Sequence, residues 1–379
     1  YDGAAFITAD GSFGHGFDSA GFSQIMTALA PVLKQRIAQT GPIAISEYMQ
    51  TCLLHPKHGY YTTQAVFGRQ GDFVTAPEIS QMFGELLGLC LAQTWQDQGR
   101  PDRFILLEMG PGRGTLMSDI LHATRNIDGF HAAAQIHLLE ASPQLRAVQK
   151  EKLHPFQPVW IEQVADLPNH PMFCIANEFF DALPIRQFQF EAMGWHERLI
   201  GLKDGAFHIG LTSAPTLLPA LDHRVGEIHI GDIVELNTGG QAIAKQLGQH
   251  IEAQGGAALL IDYGDWETLG DTLQAVYQHG ITEFLSAPGL ADLSAHVDFA
   301  ALVSNLACKH SRLTPQGVLL ERLGITARAQ ALAKRLSGMA LDQHIAAHKR
   351  LTHPAEMGSL FKAIALYPST AHAPAGFTE

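Results

Sequence analysis

Apolar residues recur at helical spacing over residues 25–39 and again over 46–54, the second run opening on Ser46, a residue suited to cap it. The stretch 58–78 is polar and glycine-rich, which predicts loops. Met82, Phe83, Leu86, Leu87, Leu91 and Trp95 then mark one long helix over 80–98. Beyond it, short apolar runs at 104–108, 136–140, 158–161 and 172–177 alternate with helical runs at 115–125 and 143–153. Alternation of this kind predicts βαβ units and a doubly wound, mainly parallel sheet. Between residues 185 and 210 the period shortens to two, with Gly194 and Gly205 at turns, which predicts an inserted antiparallel patch. A helix over 242–253 and an apolar strand over 257–263 return the chain to the sheet. Helices near 299–308 and 327–336 follow, and a last strand is expected over 360–366.

Composition narrows the class of protein without choosing its chemistry. Of the 379 residues, 46% are hydrophobic and 16% charged, and no apolar stretch approaches the length of a bilayer span. A soluble α/β protein with no membrane span is expected. Four widely spaced cysteines without a Cys-x-x-Cys pair read as reduced, mostly buried thiols of a cytoplasmic protein. The spacing in His55-Pro56-Lys57-His58 is ligand-like, but no acid or cysteine motif accompanies it, so no metal site is predicted. The first Lys or Arg is Lys34, so residues 1–24 lack a basic targeting start and read as a flexible extension. Residues 1–297 hold 16 Lys or Arg against 32 Asp or Glu, whereas 298–379 hold 9 against 5. A body this negative repels phosphate backbones and attracts basic polypeptide, which disfavours nucleic acid as a partner.

The most specific chemistry lies where the first strand meets its helix. Glu108-Met109-Gly110-Pro111-Gly112-Arg113-Gly114 places three glycines at alternate positions, with an acid two residues before the first. Glycines suit a turn that bends sharply and lets a ligand approach the backbone. The spacing is tighter than the Gly-x-Gly-x-x-Gly of dinucleotide sites, which favours S-adenosylmethionine over NAD. Glu140 at the tip of the second strand is placed to accept both ribose hydroxyls of an adenosine; the competing reading has it capping the helix after Pro143. The fourth strand runs into Asn177-Glu178-Phe179-Phe180-Asp181, which brings an amide and two carboxylates to the edge where ligands of open α/β sheets bind. Glu178 and Asp181 could bracket a guanidinium, which stays protonated with a pKa above about 12, and help remove a proton during transfer. Otherwise Asp181 caps a turn and Glu178 is solvated. Asp262, ending the strand at 257–263, either faces this site or turns away from it, while Asp298 and His296 read as a helix-start acid and a packed ring.

On these residues the chain resembles the MidA family of S-adenosylmethionine-dependent methyltransferases. Residues 108–116, 177–184 and Gly71-Asp72-Phe73-Val74-Thr75-Ala76-Pro77-Glu78 carry the likeness, with further matches at His58-Gly59-Tyr60-Tyr61, Ile261-Asp262-Tyr263-Gly264, Ser294-Ala295-His296-Val297-Asp298-Phe299 and Met357-Gly358-Ser359-Leu360-Phe361-Lys362. Departures are Met109, where Leu is common, and Pro315 before Gln316-Gly317, where Thr is expected. The family includes a mitochondrial assembly factor that methylates an arginine of a respiratory complex I subunit. The resemblance implies a Rossmann-type class I methyltransferase with a helical cap and S-adenosyl-L-methionine as cofactor. Its substrate would be a protein with an accessible arginine, in the bacterial cytoplasm or, for a eukaryotic chain, the mitochondrial matrix. By motif, Gly110, Gly112 and Gly114 would line the methionine part of the cofactor, with Glu108 and Asn177 beside them and Glu140 at the ribose. Gly71, Thr75, Pro77 and Glu78 would belong to a loop closing over it. The implied division is an N-terminal helical region with that loop (25–100), a core (101–265) with an insertion (185–235), a helical cap on the acceptor side (266–357) and a final strand and tail (358–379). Other classes compatible with the residues are a methyltransferase for small molecules or for other protein groups, and an assembly chaperone that binds S-adenosylmethionine without turnover.

Overall fold

The structure, a computed structural model, describes residues 27–63, 75–218, 221, 228–278 and 280–379. The expected extension and Gly71 of the covering loop lie outside these residues. Helix α1 (Leu29–Thr40) buries Leu33 and Ile37 along one face, and Thr27 Oγ1 accepts from Ala30 N at its start. Helix α2 (Ile45–Leu54) begins one residue before Ser46, which therefore sits inside the helix and is not its cap. Short helical turns at Tyr60–Thr63 and Ala76–Ile79 replace part of the predicted loop.

Helix α3 (Gln81–Asp97) does start on a serine cap, Ser80 Oγ accepting from Met82 N. It is buried almost all round, because it lies between the central sheet and helix α4 (Thr115–Thr124). Gly84 and Gly88 make that approach possible: a Cβ on Gly88 would lie 2.9 Å from Ile120 Cα.

The central sheet runs from β1 (Phe104–Met109) outward through β2 (Ala134–Leu139) and β3 (Val159–Ile161). The chain then crosses back to place β4 (Met172–Asn177) on the other side of β1. Beyond β4 lies β9 (Gly256–Asp265), parallel like the rest, and then β10 (Phe361–Tyr367), antiparallel to it. Helix α5 (Pro143–Lys152) links β2 to β3, and α6 (Thr238–Gln254) precedes β9. Near-continuous apolar strands are what a sheet covered on both faces demands. Phe104, Leu106, Phe173 and Ile175 face α3 and α4, while Ile105, Leu107, Cys174 and Ala176 face Leu247 and Ile251 of α6. All four cysteines are free and buried.

The antiparallel patch is larger than predicted. Strands β5 (Arg186–Glu191), β6 (Gly194–Lys203), β7 (Ala206–Leu211) and β8 (Ile233–Leu236) form it, with Ile43–Ala44 added from the N-terminal region. A three-stranded sheet of Gln274–Tyr277, Gly280–Thr282 and Asp292–Ser294 follows, and its Ala275 and Leu293 share a core with α1 and α2. The helix expected over 299–308 stops at Val303, capped at its start by Asp298 Oδ1 accepting from Ala301 N. Helices α7 (Gln316–Arg322), α8 (Ile325–Ala333) and α9 (Gly338–Thr352) pack Leu319, Leu320, Ile325 and Leu351 against the core of the central sheet. Helix α9 escaped the sequence reading because it buries Leu351 alone and so has no apolar stripe. No described helix is long and apolar enough to cross a membrane.

Candidate active site

The strand order reverses between β1 and β4, since the chain leaves β1 on one side and returns on the other. Ligands of open α/β sheets bind in the crevice that such a reversal opens at the carboxyl ends of the strands. A cleft lies there, lined by Thr75, Pro77, Glu78, Glu108, Gly110, Pro111, Gly112, Arg113, Thr115, Leu116, Asn177 and Glu178. The structure thus brings together eight of the residues singled out from sequence, drawn from three segments far apart in the chain.

Each wall has a local cause. Gly110, Gly112 and Gly114 all have left-handed φ, at 65°, 50° and 73°. Only glycine takes that run without steric cost. Gly110 must also lack a side chain, because a Cβ there would meet the Phe179 ring at 3.0 Å. The turn is closed by Gly114 N donating to Pro111 O (2.7 Å) and delivers the chain into α4. On the facing wall, Thr115 Oγ1 donates to Glu78 Oε1 (2.6 Å), so the Ala76–Ile79 turn is tied to the start of α4. Ala76 N donates to Glu178 Oε1 (3.0 Å), tying the same turn to the end of β4.

Glu108 is 2% exposed, and its Oε2 has no hydrogen-bond partner among the described residues. Burial pushes its carboxyl up to about 8, against the opposing pull of Met117 N–H at the start of α4. Asn177 Oδ1 is likewise buried and unpartnered, while its Nδ2 donates to Glu178 Oε1 (2.9 Å). Buried acceptors are ordinarily satisfied, so two orphans in one cleft call for a ligand that donates hydrogen bonds or carries positive charge.

Glu178 is the residue just past β4 and has φ 53°, a left-handed conformation uncommon for a side chain of this size. It is not simply solvated: burial raises its pKa, partly offset by the hydrogen bonds from Ala76 and Asn177 and by the charge of Arg350. Asp181 lies one turn further. Its Oδ1 is inaccessible and unpartnered among the described residues, although the residue as a whole is half-buried. Burial, then the charges of Asp262, Glu178 and Asp292, push its pKa up. Asp262 does not face the cleft but lies beneath this turn, bonded to its backbone.

Glu140 and Gly114 stand behind the cleft and do not line it. The Glu140 carboxylate accepts from Ser142 N (2.7 Å) and Gln149 Nε2 (3.1 Å), while the cap of α5 is Ser142, whose Oγ accepts from Leu145 N. The sequence reading passed over Gln149, which is fully buried and joins three parts of the site. Its amide donates to Gly112 O (2.7 Å) and to Glu140, and its carbonyl accepts from Trp160 Nε1 (2.7 Å). A glutamine in a mostly polar helix carries no mark of that burial.

Residues 86–319, more than half of the chain, match the family described as "Putative S-adenosyl-L-methionine-dependent methyltransferase". The chain belongs to that family. The methyltransferase is 34% identical to human Protein arginine methyltransferase NDUFAF7, mitochondrial, covering 92% of this chain and 86% of the relative. Against the Xenopus laevis protein of the same name it is 36% identical, covering 88% and 83%. Its fold superposes on a Burkholderia thailandensis protein solved bound to S-adenosyl-homocysteine, with a TM-score of 0.79, 29% identity and coverage of 92% and 94%. The family's cofactor suits the cleft of this methyltransferase: S-adenosylmethionine carries an ammonium, a donor for acceptors such as the Glu108 and Asn177 oxygens, and a sulfonium whose positive charge suits a wall with carboxyl groups.

Proposed function

We propose that this S-adenosylmethionine-dependent methyltransferase acts on an arginine guanidinium of a protein substrate. The observation that carries the reading is the Asn177–Asp181 turn, which sets Glu178 in the wall of the cleft and leaves the buried Asp181 Oδ1 without a partner among the described residues. Two carboxylates at one strand tip fit a planar cation that no ordinary pH deprotonates. The names of the relatives support the same class of acceptor, and the resemblance to MidA proteins points to a subunit of respiratory complex I.

When bound, the cofactor supplies a methyl group on a positively charged sulfur, open to attack in line with the carbon–sulfur bond. The chain's own residues then have mostly positioning to do. Glu108 and Asn177 would hold the methionine end, the glycine turn would cradle it, and Thr75, Pro77 and Glu78 would cover it together with the segment containing Gly71. Glu140 would reach the ribose from behind the glycine turn, its carboxylate steadied by Gln149. Glu178 and Asp181 would align the guanidinium, and the Glu178 carboxylate would take the proton released as the new N–C bond forms. In this scheme residues 25–100 cover the cofactor, the core binds it and residues 266–357 flank the acceptor side.

The test is transfer of labelled methyl from S-adenosylmethionine into arginine of a lysate from cells lacking this enzyme. Glu178→Gln and Asp181→Asn should each reduce labelling at least about 100-fold with cofactor affinity retained, whereas Gly112→Val should abolish cofactor binding in a titration with S-adenosyl-homocysteine. Label found on another amino acid or on a small molecule would sink the arginine assignment. Full cellular function in variants that transfer no methyl would favour a chaperone.

A further inference from the structure

The turn bearing Glu178 and Asp181 is held from beneath by one carboxylate. Asp262, 1% exposed in β9, accepts at Oδ2 the backbone N–H groups of Phe179 (3.1 Å), Phe180 (2.9 Å) and Asp181 (3.2 Å). Its Oδ1 accepts from Tyr263 N (3.0 Å). Three successive amides converging on one oxygen form a backbone nest, a concavity suited to an anion. Here the neighbouring strand supplies the anion. The carbonyl side of the same turn is anchored separately, by Ala295 N on Asp181 O (3.0 Å) and by Asn237 Nδ2 on Phe180 O (2.9 Å).

We propose that Asp262 is a positioning residue for methyl transfer: by collecting these amides it locks the turn in the one conformation that turns Glu178 into the cleft at φ 53° and sets Asp181 beside it. The inference rests on reading Glu178 and Asp181 as the acceptor side. An acceptor here also serves stability, because an apolar group would leave the amides of the turn without partners, so rate and folding have to be read separately. Four amide donors favour charge on Asp262, against a burial that pushes its carboxyl up to about 7. The turn is therefore held from beneath by one side chain whose two oxygens take four backbone amides.

The experiment compares wild type with Asp262→Ala and Asp262→Asn. Initial rates of methyl incorporation into lysate arginine are measured against S-adenosylmethionine concentration, and amide hydrogen exchange is followed over residues 177–183. Expected is a fall in maximal rate of about 100-fold for the alanine variant, with the KM for S-adenosylmethionine and the affinity for S-adenosyl-homocysteine within about twofold of wild type. Exchange should quicken at the turn alone. The asparagine variant, which keeps an acceptor oxygen for the amides, should recover part of the rate. An unchanged rate in Asp262→Ala overturns the proposal, and so does a loss of cofactor affinity equal to the loss of rate. A wild type that binds cofactor yet labels no arginine refutes the acceptor reading instead, and the exchange result then decides whether Asp262 holds the turn.

Discussion

Glu108 shows how burial turns one side chain into a sensor of both pH and ligand. In the unfolded chain its carboxyl titrates near the ordinary 4.5, and in the fold burial holds the proton up to about 8. Between those values the folded state binds a proton that the unfolded state has lost, so this contribution is complete below pH 4.5 and fades as pH rises toward 8. Asp119 and Glu235, pushed by burial to about 7, act in the same sense. The melting temperature of the cofactor-free protein should therefore fall from pH 5 to 8. Glu108→Gln, which mimics the neutral acid, should melt with wild type below pH 4.5 and above it at pH 8. If the variant loses stability with pH as steeply as wild type, Glu108 is not the group responsible. Binding of S-adenosylmethionine at pH 7 should also release a proton from wild type but not from the variant, read by calorimetry in buffers of different ionisation enthalpy.

Helices α3 and α4 illustrate a contact that composition conceals. Glycine inside a helix ordinarily costs about 1 kcal/mol relative to alanine, so Gly84 and Gly88 look like weaknesses of α3. They are the points where α4 comes closest, with Asp119 Cβ and Ile120 Cα lying 2.6 Å and 2.9 Å from where a methyl would stand. Overpacking against a helix backbone costs about 1–3 kcal/mol, which exceeds the gain in propensity. Gly88→Ala should lower the melting temperature by a few degrees, and an unchanged or higher value would show that the helices can separate at no cost. Because α4 starts at the glycine turn, the same variant should weaken cofactor binding as well. The apolar periodicity of α3 was plain in the sequence; the reason for its glycines became visible only with α4 laid against it.

Taken whole, the molecule opposes a negative body to a basic C-terminal region, the 16 against 32 and 9 against 5 counts of basic and acidic residues. Such a field steers a basic acceptor segment toward the body and is screened over a Debye length of about 10 Å at 0.1 M salt. The KM for a protein acceptor should rise with ionic strength while the affinity for S-adenosyl-homocysteine, held in a cleft, changes little. Equal salt dependence of the two would remove long-range charge from the account of acceptor choice.

The alternation of strands and helices, the Glu108–Gly114 turn and the Asn177–Asp181 tip were legible in the sequence, because they depend on residue type at short spacing: period, glycine, and acid at a strand end. Those local rules were enough to predict the doubly wound sheet and the class of cofactor. They failed at α9, whose single buried residue leaves no pattern, and at the full extent of the antiparallel sheet, whose strands β8 and Ile43–Ala44 come from distant segments. Tertiary structure alone decided that Asp262 lies under the Asn177–Asp181 turn and not in the cleft, and that Gln149 joins the glycine turn to Glu140. It also brought Ala76 to Glu178 across about a hundred residues of chain. The physical reason is common to all three. A hydrogen bond is set by the geometry of its two ends, and where those ends are remote in sequence, only the packing of the sheet and its helices brings them together.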